Sequence, residues 1–181
     1  MRFGFLVLAL AVALVGFSTA ASADAIDFRH EVWGDISGTI DGKAFRTEHF
    51  TILATGDTSN RDSFGSGFDI DHGAAKIDID GVGVFVFTTG TRTFINNSNN
   101  TVGFSRSSGP DLANGPTGLP VWDMLSSFGP FLGDGDLLQW ALTPVNTNAG
   151  VLEFNSGDVK IEFEANVVPE PGSIALFALG G

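Results

Sequence analysis

The sequence predicts an all-β fold, an antiparallel β-sandwich of which a jelly roll is one form, with a closed barrel as the alternative arrangement. Apolar and polar residues alternate with period two through much of the chain, and Gly- or Asn-containing turn signals interrupt them at short intervals. The alternating strand and helix pattern of a parallel sheet is missing.

The elements follow in chain order. In "EVWGDISGTI", Val32, Ile36 and Ile40 share one side of a strand, and Trp33 falls opposite them with Asp35, Ser37 and Thr39. "GKAFRTEHFTILATGD" reads as a longer strand. In "AAKIDID", Ala75, Ile77 and Ile79 alternate with Lys76, Asp78 and Asp80, while "VGVFVFTT" from Val82 is apolar on both sides and is expected in the core. "LPVWDMLSSFGPFLG" from Leu119 spaces Trp122, Leu125 and Phe128 near a helical turn, so one short helix is expected there. The clearest strand is "DVKIEFEANV", with Val159, Ile161, Phe163, Ala165 and Val167 against Asp158, Lys160, Glu162 and Glu164. Turns are expected at "DGK" from Asp41, "TGDTSN" from Thr55, "DHG" from Asp71, "DGVG" from Asp80, "NNSNN" from Asn96 and "NSG" from Asn155.

Residues 1–23 carry a basic start at Arg2, an apolar run from Phe3 to Phe17, and small residues at Ala21, Ser22 and Ala23. The run is short for a span of about 20 residues and an Ala-x-Ala signature follows, so a secretory signal cleaved after Ala23 is expected, Ala25 being the alternative. The predicted organisation is then a signal peptide over 1–23, one β domain over 24–167 and a tail over 168–181.

The whole chain has a net charge of −12, which repels nucleic acid and anionic lipid. It is 43% hydrophobic with 17 Phe, a composition that folds. It holds no cysteine, which excludes thiolate catalysis, zinc–thiolate centres and iron–sulfur clusters.

Candidate chemistry is sparse. Calcium would take carboxylate and carbonyl oxygens, and "GDGD" makes Asp134 and Asp136 the candidate ligands; an EF-hand placed on "DIDG" fails because Lys76 and Phe87 stand where acids are needed. His30, His49 and His72 form no metal-binding spacing and are expected at the surface or in turns. No Gly-x-Ser-x-Gly elbow exists, and "GVG" at Gly81 lacks the third glycine of a nucleotide loop. The acids could supply a glycosidase pair, but no spacing selects one. Among the tryptophans, Trp33 is the candidate for stacking on a sugar ring, because Trp122 and Trp140 sit among Leu, Val and Phe. Two Asn-x-Ser/Thr sequons, at Asn96 and Asn99, fall in the same polar loop tip.

The chain closes with "VVPEPGSIALFALGG", in which the Pro-Glu-Pro can neither continue a strand nor start a helix before Pro171. This ending resembles the PEP-CTERM sorting signal of Gram-negative bacteria, in which Val-Pro-Glu-Pro precedes a transmembrane helix and a basic cluster. Here Ile174 to Gly181 falls short of a span and no Lys or Arg follows, so a truncated sequence is expected, a degenerate signal being the alternative. The resemblance implies recognition of Pro169, Glu170 and Pro171 by an exosortase, signal peptidase acting at the other end. It further implies transient contact with the inner membrane and export through the periplasm to the cell surface or beyond, often beside exopolysaccharide. The stretch "GTIDGKAFRTEHFTILATGDT" also looks like the β-rich domains such proteins carry. The expected function is therefore a non-catalytic surface or matrix protein associated with exopolysaccharide. The alternatives are a carbohydrate-binding module, calcium-assisted or not, and thirdly a polysaccharide hydrolase.

Overall fold

A computed structural model describes residues 24–169. The described residues form eleven strands and no helix: β1 (Ala25–Ile40), β2 (Lys43–Phe64), β3 (Gly67–Ile79), β4 (Gly83–Val86), β5 (Thr91–Asn96), β6 (Thr101–Arg106), β7 (Asp111–Thr117), β8 (Phe128–Leu137), β9 (Val145–Thr147), β10 (Gly150–Phe154) and β11 (Gly157–Val168). All pairings are antiparallel.

The sandwich expectation gives way to a barrel. A continuous path runs β1, β2, β3, β5, β6, β7, β8, β11, and β11 then pairs back onto β1 from Ala25↔Val168 to Trp33↔Lys160, so the path closes into a ring of eight strands. Alternation along a strand is the same in a sandwich and in a barrel; closure is decided by which strands pair. The far halves of β1 and β3 leave the ring. Gly38 to Ile40 pair with β10, β10 with β9, and Lys76 to Ile79 with β4, while a Phe87↔Thr147 bridge joins the two flaps.

The inward face is continuous: Ile26, Phe28 and Val32 of β1, Phe50 and Ile52 of β2, Ile70, Ile77 and Ile79 of β3, Phe104 of β6 and Ile161 and Phe163 of β11 are all at most 1% exposed. The Asp41-Gly42 corner takes positive φ at both residues, 48° and 74°, the geometry that a two-residue hairpin between twisted strands requires. At Gly103 a Cβ would sit 2.2 Å from Cζ of Phe94, so the missing side chain lets the Phe94 ring lie over the neighbouring strand.

Three local expectations are corrected. "LPVWDMLSSFGPFLG" forms no helix: Pro120, Gly129 and Pro130 interrupt it, residues 119–127 run irregularly, and Phe128 opens β8. Trp122 and Met124 turn inward instead, Trp122 stacking on Phe128 at 4.6 Å between ring centroids. The turn signals at Thr55 and Asp71 lie inside β2 and β3, where they mark register shifts between Thr55 and Arg61 rather than chain reversals. "VGVFVFTT" is a flap and not a central strand, for Val84 and Val86 are 55% and 47% exposed while Phe87 is buried.

Candidate functional site

The barrel's outer wall carries one row of side chains set by register. Asp134 of β8 pairs with Lys160 of β11, Lys160 with Trp33 of β1, and Trp33 with His49 of β2. Asp80, just beyond β3, completes the row by a 3.1 Å contact between its Oδ2 and Nδ1 of His49. Lys160 donates to Asp134, and the Trp33 and His49 rings stack with centroids 5.3 Å apart and planes 26° from parallel.

A β-bulge lies beside this row. Between the pairs Trp33↔His49 and Ile36↔Thr47, β1 has two residues, Gly34 and Asp35, where β2 has only Glu48. The inward set of β2 changes phase there: Phe50 and Ile52 are buried on one side of Glu48, Thr47 on the other, and Glu48 itself is exposed. The result is an open groove of about 520 Å³ lined by Trp33, Gly34, Asp35, Glu48, His49 and Asp80. Thr47 fixes its base by donating from Oγ1 to the carbonyls of His49 (2.8 Å) and Asp80 (3.2 Å). Nε2 of His49 is buried and has no hydrogen-bond partner among the described residues. Of the groove's residues, Trp33 and Asp35 are legible in the sequence as neighbours on one face, whereas Glu48, His49 and Asp80 join them only through strand pairing.

Asp134 and Asp136 stand in a second, smaller groove of about 200 Å³ with Thr117 and Asp158. Asp158 is the cross-strand neighbour of Asp136. Burial, then the charge and hydrogen bond of Asp158, hold the Asp136 carboxyl above its ordinary value. Lys160 engages Asp134, and among the described residues no group of three or more His, Asp or Glu side chains is placed to hold a metal ion.

His30 and His72 depart from the expectation of surface or turn residues, while His49 stands on the outer wall in line with it. His30 is 2% exposed inside the barrel, and its Nε2 lies 3.2 Å from Oγ1 of Thr93. His72 brings Nε2 to within 3.0 Å of the same hydroxyl and Nδ1 to within 3.0 Å of Oγ1 of Thr91. Phe28, Phe104 and Phe163 wall the pair in, the closest ring being Phe163 at 4.8 Å from His30. Burial pushes both imidazoles down to about 3, with His30 adding to the effect on His72, so both are neutral. Apolar alternation hides such residues, since a histidine at an inward position looks like any polar interruption.

Trp122 and Trp140 are buried, with Nε1 of Trp140 donating to the Leu112 carbonyl at 2.8 Å. Pro169 directly follows β11 at the edge of the described residues; Glu170, Pro171 and the cleavage residues Ala21 and Ala23 lie outside them. Fold and groove together define an all-β antiparallel barrel with an open aromatic and acidic groove on its outer wall. No protein-family model, no curated protein and no solved structure matches the chain.

Proposed function

We propose that the chain is a non-catalytic exported protein of the cell surface or extracellular matrix, sorted through its PEP-CTERM-like ending, whose barrel holds exopolysaccharide in the Trp33 groove. The observation that carries this reading is the stacked Trp33 and His49 pair opening into a groove rimmed by Asp35, Glu48 and Asp80. A sugar ring offers an apolar C–H face to an aromatic ring and a rim of hydroxyls to hydrogen-bond acceptors, and this groove supplies both kinds of partner. It lies open on a sheet face, so a long polymer can pass across it without threading. Each contact is weak, and binding then grows through many sites along one polymer.

Asp35 and Asp80 are largely exposed, at 87% and 64%, and Glu48 is exposed as well, whereas glycoside hydrolysis calls for a carboxyl kept protonated by its surroundings. Binding therefore suits these acids better than hydrolysis. The test is fractionation of the producing cells with intact-mass measurement of the protein in each fraction. The expected result is a chain beginning at Asp24, located outside the inner membrane and retained with the matrix, and a Trp33→Ala variant of the same thermal stability that passes into the medium. Equal retention of the two proteins would contradict a role for the groove.

A further inference from the structure

The charge of the groove restricts which polysaccharide it can take. Asp35 lies 3.4 Å from Arg46, but with both side chains largely exposed, at 87% and 78%, the pair is weak and easily exchanged. Asp80 contacts His49, and Glu48 makes no ion pair among the described residues. Lys160, the cation nearest Trp33 in the row, pairs with Asp134, likewise at the surface, with the side chains 58% and 83% exposed. The chain as a whole sets 21 acids against 9 Lys and Arg.

A polymer of uronic acids, or one bearing sulfate or phosphate, would bring its anions against this rim and be repelled. A neutral polymer would stack on Trp33 and offer the carboxylates only its hydroxyls, without charge. A protonated amine on the sugar ring does more: it forms charge-assisted hydrogen bonds to a carboxylate and can sit against the indole face. We propose that the groove selects amino-sugar polymers with free amines, Trp33 taking the ring and Glu48, with Asp35 and Asp80, taking the ammonium groups. This selection rests on the saccharide reading above.

The experiment compares soluble glucosamine oligomers with their N-acetylated counterparts, which share a backbone and differ in the charge, by calorimetric titration into the mature protein in slightly acidic, low-salt buffer. Glucosamine oligomers are expected to bind at least about tenfold more tightly, and added salt should erode the difference. Glu48→Gln, at an exposed position, should keep the unfolding midpoint, lose about fivefold or more of the affinity for the amine form and leave the acetylated form unaffected. Trp33→Ala should weaken both. Equal or tighter binding of the acetylated oligomer would overturn the amine preference while leaving the saccharide reading intact. Glucosamine binding that both variants keep unchanged would mark diffuse attraction to an acidic surface and overturn the site assignment. Binding of neither oligomer, nor of the producer's own polysaccharide, would overturn both.

Discussion

Thr93 places one hydroxyl between two imidazoles, 3.2 Å from Nε2 of His30 and 3.0 Å from Nε2 of His72. A hydroxyl can donate to one ring and accept from the other, so a neutral pair satisfies it and a charged pair does not. Both rings are held at about 3 against an ordinary 6.5, chiefly by burial. The sign follows from that depression: above 6.5 neither state binds the proton and the full stability is present, and as the pH falls from 6.5 towards 3 the unfolded chain takes up protons that the folded chain refuses. Stability is therefore expected to decline on acidification already between 6.5 and about 5, above the carboxylate range. In urea unfolding at stepped pH, the wild-type slope in that window should exceed that of a His30→Gln, His72→Gln double variant. Equal slopes would contradict the buried neutral pair.

β11 shows what is legible at the scale of an element. Its alternation from Val159 to Ala165 is seen in the sequence, and each of those four apolar residues is buried at 8% exposure or less. Its partner is not legible, since pairing β11 with β1 joins the two ends of the domain, which no local pattern records. The same limit explains the groove: the phase change of β2 at Glu48 arises from the two-against-one count at the bulge, and the sequence of β2 alone reads as one long strand. The Leu119 stretch failed for another reason, because helical spacing of apolar residues also results when an irregular segment turns large side chains towards the core. Closure through β11 predicts a ranking of substitutions. Phe163, fully buried against His30, Phe28, Trp122 and Phe128, should cost about 3 to 5 kcal/mol as Phe163→Ala. Its outward neighbour Glu162, paired with Arg29 at the surface, should cost under about 1 kcal/mol as Glu162→Ala. Denaturant midpoints check the order, and a reversed order would place β11 outside the barrel wall.

At the scale of the whole molecule, three features support the proposed role. A ring of eight paired strands leaves few open edges, which suits a protein without cysteine to cross-link it. The net charge of −12 disfavours contact with anionic polymers, and the outer wall offers an open aromatic groove. The proposed address in the tail and the proposed ligand in the groove then describe a protein that is carried out of the cell and held there by its surroundings. The most direct measurement is the mobility of the purified, folded mature chain through native gels cast with and without the exopolysaccharide of the producing cells. The account predicts retardation that grows with polysaccharide concentration and is lost in a Trp33→Ala variant whose unfolding midpoint is unchanged. Equal mobility with and without the polymer, or retardation that survives Trp33→Ala, would contradict it.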